Sequence, residues 1–446
     1  MSPSSNAAAS GAAPRPTPPA SFLVLIALGL ATQPIATDLY MPALPAVTRE
    51  LAPGQPGVIG LSMTLLVLCF GLGQLVSGPL ADRYGRRPCL LAGLWLLCLG
   101  GLGCTVAASA WQLNLARALQ GFALAPILVS CRAAVRDRFT PAEGPVIMSR
   151  ALTGLGAVAL FSPVLGAWVT QHLGWRWALG LTMLYAGALA LAAHRFFLES
   201  LAPRDPVTAA QSMPDGRAER DSPAQSLARV FRDAHFRAWT GVVSATWIGL
   251  FCFLLLSPLV YIDYLGLSTA AYGWIPAAGS LVYILGGRWC QRRLRDLGPA
   301  RLVRQAALIS LAGGLTQALG LLIRPDPLWW LLAGHFMYAW AHASHQACGQ
   351  AGVISHLPQA AGKGSAWSGF LMMSSAFCVG QLAAAFIRPG HPHGAWPMVL
   401  PMLASGLGLV LLAFGPVARL RDHPTSQPSG PQAPGSDGLR TDTMSR

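Results

Sequence analysis

Charge is scarce in this chain of 446 residues: Asp, Glu, Lys and Arg together make up 11%, less than half of the roughly 25% found in ordinary soluble domains. So few charges cannot cover a water-facing surface of this size, and most of the sequence belongs in lipid. Acidic residues are the rarer sign, 17 against 31 basic, for a formal net charge of +14. An excess of that size suits a nucleic-acid ligand when it is gathered on one surface, but here it is scattered over short polar intervals, and nucleic acid is not an expected partner. The nine cysteines lie in or beside apolar runs with no Cys-x-x-Cys spacing, and they read as small buried hydrophobes. No Gly-x-x-x-x-Gly-Lys loop is present to cradle phosphates, which argues against ATP-driven pumping. No cofactor and no metal site are expected. Residues 1–20 carry a single basic residue, Arg15, too few for the charged region of a secretory signal, so the first apolar run is expected to be retained.

What remains is apolar: 53% hydrophobic residues and a mean hydropathy of +0.48. A helix needs about 20 apolar residues to cross a bilayer. Twelve such runs are found, at 21–46, 57–78, 89–109, 112–132, 150–171, 176–198, 239–262, 272–291, 301–323, 327–349, 365–388 and 395–417. Alternating the intervening loops across them leaves only Arg49, Arg176, Arg324 and Arg388 on one side and Arg117 inside a span, with every other Lys and Arg on the side of both termini. The positive-inside rule then predicts cytoplasmic termini and a multi-pass protein of the inner membrane.

The expected fold is all-α, with twelve transmembrane helices in two pseudo-symmetric six-helix bundles. The polar interval 199–237, with Pro203, Pro206, Pro214 and Pro223, divides a bundle at 21–198 from one at 238–418. Within that linker, Leu227, Val230 and Phe231 share a helical face while Arg229, Arg232 and Asp233 point elsewhere, which suits either a short helix lying on the membrane surface or a disordered connection. Residues 1–20 and 419–446 are rich in Pro, Ser, Gly or Ala and are expected to be disordered cytoplasmic ends.

Three motifs stand out. Gly78-Pro79-Leu80-Ala81-Asp82-Arg83-Tyr84-Gly85-Arg86-Arg87 joins the second and third spans with charges too costly for hydrocarbon, so it sits at a membrane face. The first span ends in Ala36-Thr37-Asp38-Leu39-Tyr40-Met41-Pro42-Ala43-Leu44-Pro45, where Asp38 needs a proton or a partner and Pro42 denies an N–H to the carbonyl of Asp38, predicting a kink. The fourth span carries Arg117, Gln120 and Gly121. Counted at the helical rise, Arg117 lies about 9 Å from the end of its span at Trp111 and Asp38 about 12 Å from the end of its span at Ala46, so the two share a depth.

The Gly78 loop resembles the signature loop of the major facilitator superfamily, Gly, Leu, Asp-Arg, Gly, Arg-Lys, with Gly78, Leu80, Asp82, Arg83, Gly85, Arg86 and Arg87 in those places. Leu115 to Gly121 is similar to its Arg-x-x-Gln-Gly motif, and the Asp38 string resembles the Asp-Met-Tyr-Leu-Pro-Ala-Leu-Pro string of the Bcr/CflA drug:proton antiporters. Gly154, Ser162, Pro163 and Gly166 resemble the antiporter motif around Gly-Pro-x-x-Gly-Gly, with Ser162 and Ala167 in place of glycines. A weak echo of the signature loop follows the eighth span, from Gly287 to Gly298.

The resemblance implies the major facilitator fold and a monomeric, non-enzymatic carrier that exports drugs or other small organic compounds against protons. Export of a metabolite or nutrient uptake on the same fold stays open, and so does, as a different class, a membrane-embedded lipid-acting enzyme. It implies a part in proton movement for Arg117, and the buried Asp38 at the same depth is the candidate proton-coupling carboxylate, in contact with Arg117 directly or through water; the alternatives are an Asp38 that braces the helix end and a structural Arg117 bonded to backbone carbonyls. It also implies a conformational latch in Gly78, Asp82, Arg83, Gly85, Arg86 and Arg87. The candidates for a substrate cavity are Tyr40, Met41, Gln120, Trp247, Phe251, His335, Tyr338 and His342. His335, His342 and His345 lie near one stripe of the tenth span, where they either touch substrate or pack as hydrogen-bonded core.

Overall fold

In hydrocarbon a backbone N–H or C=O has no water to bond, so runs this long and apolar satisfy themselves as helices. The computed structural model describes residues 20–139, 143–200, 223–323, 327–357, 360–386 and 394–420. Most of the two ends expected to be disordered, and linker residues 201–222, lie outside the described residues.

The first span is two helices, α1 (Ala20–Asp38) and α2 (Leu44–Leu51), joined by a 3-10 turn at Met41–Ala43. The break falls at the carbonyl of Asp38, which Pro42 cannot serve. Then come α3 (Pro56–Tyr84), α4 (Arg86–Thr105), α5 (Ala110–Arg138), α6 (Glu143–Leu173) and α7 (Trp175–Phe196). The linker ends in α8 (Pro223–Arg232), where Val230 is buried and Phe231 packs edge-on to Phe236 and Trp367 while Arg229 and Arg232 are exposed. The chain continues with α9 (Ala234–Pro258), which runs into a π-helical turn at Leu259–Tyr264.

Next, α10 (Thr269–Ile323) passes through a kink at Gly298, whose φ of 69° ends one arm as Pro299 starts the other. The supposed loop from Gly287 to Gly298 is thus helical almost to its end, because its arginines lie outside the apolar run without breaking the helix. The last three are α11 (Leu328–Ile354), α12 (Ala361–Ala385) and α13 (Trp396–Phe414). Nine helices among the described residues are long and apolar enough to cross a membrane. One of them, α10, supplies two spans, and α6 and α11 complete twelve.

In the first bundle α5 packs against α3 and α4, α4 against α7, and α1 against α6 and α5. The second bundle packs α10 against α11 and α13, and α9 against α13, α12 and α11. The bundles meet along α3 with α12 and along α6 with α10. These are spans two with eleven and five with eight, the pairs that a two-fold axis exchanging the bundles carries into each other.

Candidate functional site

Asp38 is the last residue of α1 and is half-buried. Its carboxylate accepts hydrogen bonds from the Thr37 hydroxyl at 2.7 Å and from the Ser162 hydroxyl of α6 at 3.4 Å. Ser162, a departure from the antiporter motif, thus supplies a donor where glycine would have none. Gly166, one turn further along α6, lies against the Leu39 carbonyl, and Pro163 and Ala167 lie against Gly273 of α10. The motif therefore occupies the crossing of α1, α6 and α10; Gly154 lies further back in α6.

Arg117 is fully buried. Its guanidinium donates to the Ala36 carbonyl at 2.8 Å, to Gln120 Oε1 at 2.8 Å and to Met63 Sδ at 3.2 Å, and it lies 4.5 Å from the centre of the Tyr40 ring. No ion pair joins it to Asp38 among the described residues. Arg117 bonds the backbone carbonyl of Ala36, as in the alternative of a structural arginine, and makes no direct bond to the Asp38 carboxylate. A helix leaves its last four carbonyls without intrahelical donors, and Ala36 is in that last turn of α1, where a cation is also favoured by the helix dipole. Asp38, meanwhile, takes the hydroxyls of Thr37 and Ser162. Gly121 lets α5 pack closely on α3, since a Cβ there would collide with the Leu66 carbonyl.

A cavity of about 410 Å³ lies between the bundles, within the 300–1,000 Å³ usual for small-molecule sites. Asp38 lines it from the first bundle, and Trp247, Phe251, His335 and His342 line it from the second. The other four cavity candidates are buried outside its lining. Tyr40 bonds Ser62 at 2.8 Å under the Arg117 guanidinium, and Met41 is enclosed in the 3-10 turn. Gln120 holds Arg117, and the Tyr338 hydroxyl bridges the Thr246 carbonyl and Ser405. His345 also turns away, to Ser310 of α10.

Sequence reasoning missed Gln33, Phe253 and Ser280 in the lining. Gln33 had a signal: with Pro34, Thr37 and Asp38 it follows helical spacing along one face. Phe253 had none, being one apolar ring among many.

The latch residues form a different cluster. Arg86 bridges Asp82 at 2.6 Å and Asp137 of α5 at 2.8 Å. The backbone N–H groups of Arg86 and Arg87, at the start of α4, donate to the Glu199 carboxylate at 2.9 and 3.0 Å, and the Arg87 side chain donates to the His194 carbonyl. Gly85 has a φ of 102°, and a Cβ on it would press on that carboxylate. Arg83 lies over the Tyr84 ring, and Gly78 has open space beside it. Glu199 was not anticipated; it is the acidic residue that meets the amino end of α4, where a negative charge is favoured, while Asp82 goes to arginine.

Twelve helices in two bundles that face each other across a membrane-embedded cavity define a carrier of the alternating-access type. The chain belongs to the Major Facilitator Superfamily, whose family model it matches over residues 26–381. It is similar to a chloramphenicol resistance protein of Pseudomonas aeruginosa, 27% identical over 90% of this chain and 89% of the relative. It is also similar to the multidrug resistance protein MdtM of Salmonella typhimurium, 27% identical over 68% of this chain and 71% of the relative. A bicyclomycin resistance protein homolog of Haemophilus influenzae is 22% identical over 86% of this chain and 93% of the relative. These relatives fit the expected drug-resistance branch.

Among solved structures, a D-xylose-proton symporter superposes with a TM-score of 0.66 at 13% identity, covering 87% of this chain and 96% of its own. A peptide transporter POT in complex with sulfate gives 0.69 at 14%, covering 90% and 94%. At that identity the two carry the fold and say nothing of cargo.

Proposed function

We propose that this protein exports drugs or other small organic compounds across the inner membrane in exchange for protons, as a non-enzymatic monomer with both termini in the cytoplasm. The observation that carries the reading is the Asp38 carboxylate, set in the lining of a cavity that both bundles share and bonded across to α6 through Ser162. Protonation removes its charge and one acceptor, so it alters the tie between α1 and α6 at the place where α6 also meets α10. Arg117 holds the Ala36 carbonyl and so fixes the end of α1 that presents Asp38. The names of the drug-resistance relatives support the direction and the class of cargo. The Gly78 to Arg87 cluster serves as the latch: its bonds above lie within the first bundle, and closing the cytoplasmic side moves this cluster against the second.

The test is transport by everted vesicles from cells lacking their own pumps, across a compound panel, with and without a proton-dissipating agent. Asp38→Asn is expected to abolish pH-driven transport while the protein still reaches the membrane. Full transport by that variant overturns the coupling role.

A further inference from the structure

At the membrane face proposed as cytoplasmic, the two bundles handle arginine differently. In the first, Arg86 bridges Asp82 and Asp137, while Arg87 and Arg138 donate to backbone carbonyls. In the second, Arg288, Arg292, Arg293, Arg295 and Arg301 crowd the bend of α10 at Gly298, and Asp296 is the sole carboxylate in that interval. All six are exposed, and among the described residues no ion pair or side-chain hydrogen bond joins any of them to a partner. Like charges one helical turn apart repel each other. The dipole of the arm ending at Gly298 favours a cation in its last turn only, and Arg288 and Arg292 come before that turn.

Spacing shows what these arginines continue. Leu281, Leu285, Arg288, Arg292 and Arg295 follow one another at intervals of four and three, which sets them on one stripe of the helix. Leu281 and Leu285 are 48% and 41% exposed and lie outside the lining of the cavity, so the stripe begins against lipid. It ends in three arginines spread over about 10 Å. Trp289, half-buried with its ring centre 6.2 Å from that of Trp340, falls where the apolar part gives way to the charged part, the level at which amphipathic rings settle beside headgroups. The arm beyond the bend repeats the order, since Arg301, Leu308 and Leu315 are seven apart and both leucines are exposed. A soluble anion satisfies the arginines alone. A ligand with a phosphate head and a hydrocarbon tail matches the whole stripe, because the arginine fork fits phosphate oxygens.

We infer that the stripe of Arg288, Arg292 and Arg295 is a docking site for an anionic phospholipid of the adjoining leaflet, with its phosphodiester on the arginines and an acyl chain along Leu285 and Leu281. The inference uses the membrane orientation proposed above and no assumption about cargo. Bound there, the lipid neutralises the charge at the bend between spans eight and nine, as Asp82 and Asp137 neutralise Arg86 in the first bundle.

The test is native mass spectrometry of the full chain in detergent, titrated with phosphatidylglycerol, with zwitterionic phosphatidylethanolamine, with glycerophosphoglycerol (the same head without chains) and with a single-stranded oligonucleotide. The native chain is expected to hold phosphatidylglycerol at least about tenfold tighter than the other three, at about fivefold per arginine engaged. The triple variant Arg288→Gln, Arg292→Gln, Arg295→Gln is expected to lose that preference. A second triple, Arg195→Gln, Arg232→Gln, Arg419→Gln, removes the same charge from other exposed positions and is expected to keep it. Lysine at the three stripe positions preserves the charge and is expected to preserve most of the binding, which holds the test open should the glutamine triple melt early in plain detergent. Equal affinity of the native chain for the two lipids overturns the site, as does equal loss in the two glutamine triples, which marks diffuse attraction. Glycerophosphoglycerol bound as tightly as the lipid, or an oligonucleotide bound more tightly, overturns it too.

Discussion

The guanidinium of Arg117 donates to the backbone carbonyl of Ala36, 2.8 Å away, and not to the carboxylate two residues further on. An arginine so placed is a brace for the last turn of α1, and its plane allows Gln120 and Met63 to be reached at the same time. Lysine has one nitrogen and cannot copy the fork. Arg117→Lys is expected to lose at least one charged hydrogen bond, about 1.5–3 kcal/mol. The loss is read as a lowered melting temperature of the purified protein together with slowed transport. If Arg117→Lys melts and transports like the native chain, the brace is not needed.

Ser162 gives the second prediction. Its hydroxyl reaches Asp38 at 3.4 Å, a long bond worth about 0.5–1.5 kcal/mol. Ser162→Ala is therefore expected to fold and transport, with the pH profile of transport displaced by about one unit or less. Ser162→Thr keeps the hydroxyl and is expected to hold the native profile. A profile displaced as far by Ser162→Thr as by Ser162→Ala places the effect elsewhere.

The twelve spans were legible because run length and scarcity of charge are local properties. Helix ends were not: α3 continues to Tyr84, well past the end of its apolar run, since polar residues extend a helix freely once it leaves lipid. The break after Asp38 was legible, because the missing N–H of Pro42 is a covalent fact. The walls of the cavity were legible only in part. Trp247 and His342 could be suspected as large polar-tipped rings in apolar spans, but so could Tyr40 and Tyr338. What separates them is which helices close around each ring, with Tyr40 enclosed beside Ser62 and Tyr338 beside Ser405 while Trp247 and His342 border the cavity, and that is decided by packing and not by spacing. Glu199 was invisible for the same reason. It lies 113 residues beyond the N–H of Arg86 that it caps.

That cap yields the last prediction. Gly85 has a φ of 102°, which costs a residue with a Cβ about 1–3 kcal/mol. A second cost follows from position, because the new Cβ would press on the Glu199 carboxylate and push it off the two N–H groups that open α4. A lost N-terminal cap costs about 0.5–2 kcal/mol. Gly85→Ala is thus expected to destabilise by both amounts and Glu199→Ala by the cap alone. In the double variant the second cost is counted once, so the two changes sum to less than their separate effects. The cycle is measured by thermal unfolding of the four purified proteins in one lipid mixture. Strict additivity means that Gly85 serves the backbone turn only, and the latch loop then needs another reason to keep α7 against the start of α4.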